Sequence, residues 1–120
     1  MTTNILNKLK EAGIYAEEGI SRLMNNEEIY LKYLKKFAAG DEYYNQLVAA
    51  FNINDCKAAF KAAHTLRGNV GNLAINTMYA ILVEMTEALR IGDIDNQHEA
   101  LRDLIKAHDK ACETISKVLG

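Results

Sequence analysis

The chain has 120 residues, 49% of them apolar, with seven glycines and no proline. This is the length of one domain with a sizeable core, so we predict a single domain over residues 1–120. The formal net charge of −2 excludes a global attraction to nucleic acid or to an acidic membrane. The longest apolar run is MYAILV, and the N-terminus lacks the apolar stretch of a signal peptide. We therefore expect a cytoplasmic protein.

Helix start and stop signals divide the chain into helices joined by short turns, and the first two segments are short. Thr3 or Asn4 can cap a first helix that ends at Gly13. A second segment runs from about Tyr15 to Met24 and stops at two asparagines. We expect these short N-terminal helices to cover one end of the fold.

Two longer helices follow, and each has a clear capping residue. Asn26 precedes EEIYLKYLKKFAA, which has glutamates in its first turn and lysines in its last, as the helix dipole favours. Gly40 ends this helix, and Asp41 caps EYYNQLVAAF. The next turn is NIND, in which Asn54 or Asp55 caps the following helix.

The C-terminal half contains three more helices. The first runs to about Gly71, the second from about Ala74 to Ile91, and the last from Asp95 or Asn96 to the C-terminus. Apolar residues recur at three- and four-residue spacing in each long helix, which indicates one buried face. The sequence therefore predicts an all-α fold, an up-and-down four-helix bundle with short N-terminal helices covering one end.

The stretch AAHTLRGNVGNLA, residues 62–74, places two glycines after a histidine within a helical pattern. Each glycine costs a helix interior about 1 kcal/mol relative to alanine, so Gly68 and Gly71 need another explanation. On a helical wheel, the apolar stripe of this helix lies roughly 120° from His64; its members are Cys56, Ala59, Ala63, Leu66 and Val70. We therefore expect an exposed His64 on a face that both glycines strip bare.

Cations and one aromatic residue surround His64 on the same wheel. Lys57 and Lys61 fall within about 60° on one side, Arg67 about 60° away on the other, and Phe60 between His64 and the apolar stripe. An uncharged imidazole is a nucleophile, and neighbouring cations would stabilise the oxygens of an incoming phosphoryl group. General acid–base catalysis fits less well, because no carboxylate lies within one turn to orient the ring. These residues indicate a histidine that accepts and passes on phosphate.

At these residues the sequence resembles the histidine phosphotransfer (HPt) domain family of bacterial phosphorelays. The family pattern is His, any residue, Leu, Lys or Arg, and Gly, followed by small residues that end in Asn-Leu or Asn-Ile and then Gly; here it reads HTLRGNVGNLA. The resemblance extends upstream through GIYAEEGISRLMNNEEIYLKYLKKFA and downstream through LVEMTEALRIGD. Most of the chain is therefore covered by the resemblance.

The resemblance implies a role for each position of the motif. His64 would be the phosphoacceptor through Nε2, Arg67 would assist the phosphoryl group, and Gly68 would leave room for a docking receiver domain. Asn69 adds a polar side chain near the site that could tune partner choice. Ala74 stands where the family often has glycine.

The implied mechanism is a relay between receiver domains. A phospho-aspartate of one receiver would donate to His64, which would donate to the aspartate of another receiver. The receiver would supply Mg²⁺, so we expect no cofactor in this chain. We also expect no kinase activity of its own and a monomeric state. A hybrid sensor kinase is a further expected partner. The docking face should be apolar and partly exposed, with Phe60, Leu73, Ile75 and either Ile14 or Ile20 as candidates.

A receiver-docking adaptor that is never phosphorylated is the alternative of the same fold, although such a module has no need of an exposed imidazole. The histidine of a chemotaxis-type kinase would instead require a kinase domain that acts in trans or in a longer parent chain. A ferritin-like enzyme is rejected, because no histidine follows a glutamate by three residues. No glycine loop for ATP is present. We interpret His98 and His108 as surface residues rather than metal ligands.

Overall fold

The computed structural model describes residues 1–120 and is entirely helical apart from turns and one isolated β-bridge. The predicted all-α class is therefore confirmed. The helices, in chain order, are α1 (Thr3–Glu11), α2 (Ala16–Arg22), α3 (Glu27–Ala39), α4 (Glu42–Asn52), α5 (Cys56–Asn72), α6 (Asn76–Arg90) and α7 (His98–Leu119).

Three of the predicted capping residues close the N-termini of their helices. The side-chain oxygens of Asn26, Asp41 and Asp55 each accept a hydrogen bond from the backbone N–H three residues later, at 2.9 to 3.1 Å. These bonds satisfy donors that the first turn of a helix leaves free. At α1 the cap is Thr2 rather than the predicted Thr3 or Asn4.

The start of α7 differs from the prediction of Asp95 or Asn96. The amide of Asn96 donates to the Asp93 carboxylate at 2.9 Å within the preceding turn. The helix begins at His98 instead, after Gln97, which makes no side-chain capping bond. Asn96 therefore holds the turn together rather than capping the helix.

The bundle is formed by α3 to α7. α4 packs against α5, α5 against α6 and α6 against α7, while α3 packs mainly against α7. Gly40, with φ 145° and ψ 126°, interrupts the helix between α3 and α4. The predicted helical bundle is thus confirmed.

The N-terminal helices cover the end of the bundle where α5 turns into α6. α1 packs against α7 and α2. The backbone N–H of Tyr15 donates to the carbonyl of Ala74 at 2.9 Å, and that of Asn76 to the carbonyl of Gly13 at 2.8 Å. Ala74 has a left-handed backbone, with φ 57°, at the position where the family often has glycine. The prediction of a covered end is confirmed.

One side chain of α2 and one of α3 hold the C-terminal end of α5. The hydroxyl of the fully buried Tyr30 donates to the carbonyl of Leu73 at 2.6 Å. The guanidinium of Arg22 donates to the carbonyl of Gly71, also at 2.6 Å. Because the last carbonyls of a helix lack partners within the helix, these bonds fix the end of α5.

The side chain of His108 is largely buried against Phe37 and Tyr44 rather than displayed on the surface, which corrects the sequence-based interpretation. Its side chain is 15% exposed, and its ring stacks on that of Tyr44, with centroids 3.5 Å apart. Nδ1 contacts the carboxylate of Asp109 at 2.9 Å, and Nε2 contacts the thiol of Cys112 at 3.4 Å. This cluster joins α7 to α4.

Stability should fall at high pH because of two groups in this cluster. Burial raises the pKa of Cys112 from 9.0 to about 11 and that of Tyr44 from 10.0 to about 12. The folded protein therefore retains protons that the unfolded chain has already released, so the contribution of Cys112 is complete below pH 9 and is lost as the pH rises through 11. We expect the urea midpoint to fall between pH 9 and pH 11, and to fall less in Cys112→Ala. An equal fall of the urea midpoint in the wild type and in Cys112→Ala would contradict the contribution assigned to Cys112.

Candidate functional site

His64 is an exposed residue in the middle of α5. The buried residues of this helix lie on another face, as predicted, except that Ala62 joins them and Cys56 is half-buried. The histidine hydrogen bonds in the structure belong to His108, so both ring nitrogens of His64 are free of protein partners. The imidazole is therefore available to a reactant arriving from solvent.

Phe60 supports the imidazole from one turn earlier in α5. The two rings lie with their centroids 5.9 Å apart and an interplanar angle of 27°. Phe60 is half-buried, at the edge between the core and the surface, as predicted. Its ring restricts the imidazole on the core side and leaves the solvent side open.

Gly68 leaves open space one turn beyond His64. Apart from its chain neighbours and the backbone of its own helix, a Cβ atom added to it would meet no atom within 4 Å. α5 nevertheless continues through this position to Asn72, so the glycine does not end the helix. The accessible backbone next to the imidazole suits the close approach of another protein.

Gly71 has a different environment, which corrects the expectation that it also leaves the face bare. A Cβ atom there would lie 3.0 and 3.1 Å from the ring of Tyr79 in the first turn of α6. The missing side chain therefore makes room for that ring. A contact of Gly71 itself with a receiver stays a prediction.

The predicted cations lie on two sides of His64. Lys57 and Lys61 are exposed and take part in no ion pair. Arg67 is half-buried and lies on the α6 side, where Glu87 is close enough to respond to its charge. The pKa of Glu87 is lowered mainly by its hydrogen bond from Arg90 and to a smaller extent by the charge of Arg67.

Asn69 lies in a groove beside the His64 face rather than on it. The groove has a volume of about 750 Å³ and separates α3 from the C-terminal half of α5. Asn69 and Asn72 line it from α5, and Tyr33 and Lys36 line it from α3. An effect of Asn69 on partner choice would have to act from this flank.

The predicted apolar docking residues are mostly core residues. Ile14 and Ile75 are fully buried, and Leu73 is 9% exposed. Ile14 and Ile75 form the isolated β-bridge between the N-terminal cover and the turn after α5, and both belong to the hydrophobic core. Phe60 and Ile20 are half-buried and remain candidates.

Tyr79 is the residue at this site that the sequence interpretation missed. It is 41% exposed, and its ring covers Gly71 on the side of α5 that carries His64. A helical wheel of α5 alone cannot place a residue from α6. The signal that could have found it is the α5–α6 hairpin. Residues 71 and 79 are equally distant from its turn at Ile75, which brings them opposite each other.

No group of three or more His, Cys, Asp and Glu side chains is placed to hold a metal ion. None of the helices combines the length and the apolar character needed to cross a bilayer.

Comparison with known families agrees with this geometry. The family model of the Hpt domain matches residues 37–114, well over half of the chain, including all of α4, α5 and α6. The match begins near the end of α3, so it does not cover the upstream part of the resemblance. No curated protein and no solved structure matches the chain significantly. Hpt domains carry phosphoryl groups in phosphorelays, interact with receiver domains and lack kinase activity of their own; the chain belongs to this family.

Proposed function

We propose that His64 accepts a phosphoryl group from the phospho-aspartate of a receiver domain and passes it to the aspartate of another receiver. The observation that carries this proposal is the exposed imidazole with open space at Gly68 beside it. A partner of receiver size can reach Nε2 only if no side chain stands in front of it. The position of Gly68, one turn beyond His64, meets that requirement.

The transfer is a displacement at phosphorus. The lone pair of Nε2 attacks the phosphorus atom, and the P–O bond to the aspartyl oxygen breaks with its electron pair remaining on the carboxylate. The proton of the neutral ring stays on Nδ1, which gives a protonated phosphohistidine. The reverse sequence of bond changes delivers the phosphoryl group to the next aspartate.

The cations of α5 stabilise the charge of the phosphoryl oxygens as the group moves. Lys61 and Arg67 lie three residues before and after His64, and Lys57 lies one turn further back. The metal ion of the reaction, Mg²⁺, belongs to the receiver in this proposal. This chain contributes the nucleophile, the cations and the docking face, and it acts as a cytoplasmic monomer.

A label-transfer experiment tests the proposal. Receiver domains phosphorylated with radiolabelled acetyl phosphate are mixed with the wild type and with His64→Gln. We expect the label to move to the wild type and not to His64→Gln, with equal unfolding curves because His64 is exposed. Receiver binding without any label on the wild type would instead establish the docking-only adaptor. Label on His64→Gln would show that another residue is the acceptor.

A further inference from the structure

The packing of Tyr79 on Gly71 creates a feature of the docking face that the family pattern does not contain. The ring approaches the glycine so closely that even a methyl group would crowd it, at 3.0 and 3.1 Å. The same side chain is still 41% exposed. The ring is therefore held in place on the side that faces Gly71 and is open to a partner on the side that faces solvent.

The position of this ring relative to His64 follows from helix geometry. Gly71 comes seven residues after His64, which places it about 20° from the direction of His64 and about 10 Å further along the helix axis. Gly68 lies between them and carries no side chain into the surrounding space. α5 therefore presents a shallow trough that has the imidazole at one end and the Tyr79 ring at the other.

We propose that Tyr79 is a specificity-determining residue that anchors the receiver domain on this trough while the phosphoryl group passes to His64. The proposal rests on the proposed function, because the occupant is the receiver that delivers the phosphoryl group. Tyrosine is enriched among the residues that dominate binding energies, since it offers a large, amphipathic surface with few rotatable bonds. Here the side chain of Tyr79 loses even less conformational freedom on binding, because its ring is already packed against Gly71.

Tyr79 does not act on the phosphoryl group itself. It lies about two helical turns from His64, so its effect must appear in receiver affinity and not in the chemistry of the imidazole. The trough has open space over Gly68 and apolar support from Phe60 and Tyr79 at its two ends. A convex element of the receiver can fill such a trough without displacing any side chain.

The test compares Tyr79→Ala and Tyr79→Phe with Tyr15→Ala, a control at a tyrosine of similar exposure on the N-terminal cover. The dissociation constant of an unphosphorylated receiver is measured by titration for each variant. We expect it to rise at least roughly tenfold for Tyr79→Ala and to change less than about twofold for Tyr79→Phe and Tyr15→Ala. Phosphorylation of His64 by phosphoramidate, a small donor that needs no docking, should be the same in all of them.

Receiver binding by Tyr79→Ala within twofold of the wild type would overturn the proposal. If Tyr79→Ala fails to fold, Tyr79→Leu replaces it, because leucine keeps an apolar cover on Gly71 while removing the aromatic ring. A failure of the proposed function would look different. The wild type would then bind receivers and accept no label, while the effect of Tyr79 on affinity would still be measured.

Discussion

Gly68→Gln is expected to slow phosphoryl transfer from a receiver to His64 by roughly 100-fold or more while making the protein more stable. The added side chain enters the open space beside the imidazole and keeps the phospho-aspartate from reaching Nε2, and displacements of about 1 Å already cost such factors. Within α5 the same change replaces a poor helix former, which contributes up to about 1 kcal/mol. For a domain of this size the melting temperature should rise by about 3–5 °C.

The opposite signs of the two effects make Gly68→Gln informative. A variant that lost transfer through unfolding would lose stability as well, whereas this one should gain it. Transfer rates and thermal unfolding are measured on the same preparation, with phosphoramidate as the small donor that should still phosphorylate His64. Transfer from receivers at the wild-type rate would contradict the docking role of the open face.

Gly19→Ala is expected to destabilise the protein by about 2–4 kcal/mol. An added Cβ atom would collide with the ring of Tyr30, which is fully buried and cannot move aside freely. Overpacking of a core costs about 1–3 kcal/mol, and disturbing the hydrogen bond from Tyr30 to the Leu73 carbonyl adds about 1 kcal/mol. Urea denaturation measures the free energy of unfolding.

Gly68→Ala is the matched control for this prediction. Both glycines lie within helices, but the Cβ atom at Gly68 would meet nothing. Gly68→Ala should therefore stabilise the protein by about 1 kcal/mol while Gly19→Ala destabilises it. Stabilisation by both variants would show that helix propensity, rather than the contact between the cover and α3, decides the outcome.

The helices could be predicted from sequence where the signals are local. A capping side chain acts on an N–H three residues away, so Asn26, Asp41 and Asp55 were identified correctly. The start of α7 was predicted too early, because Asn96 has a second option in Asp93 that competes with capping. The sequence shows that Asn96 can either cap the helix or bond to Asp93, and it does not show which of the two forms.

At the site too, the features that one helix determines could be predicted, and those that depend on contacts between helices could not. The exposure of His64 and the open space at Gly68 follow from the periodicity of one helix, and both predictions are confirmed. The surroundings of Gly71 depend on where α6 places Tyr79, which a single helix cannot reveal. Ile14 and Ile75 were candidates for the partly exposed docking face and are fully buried, since a single helix does not reveal the contact between the N-terminal cover and the turn after α5 either.

Locating the phosphate after transfer tests the central role of His64 most directly. Trypsin cuts after Lys61 and Arg67 and so releases His64 in the short peptide AAHTLR. The wild type is incubated with a phosphorylated receiver, quenched in alkali, digested and analysed by mass spectrometry. We predict one phosphoryl group on AAHTLR that survives alkali and is lost in acid. Phosphate on the peptides that contain His98 or His108, or on none, would contradict the account.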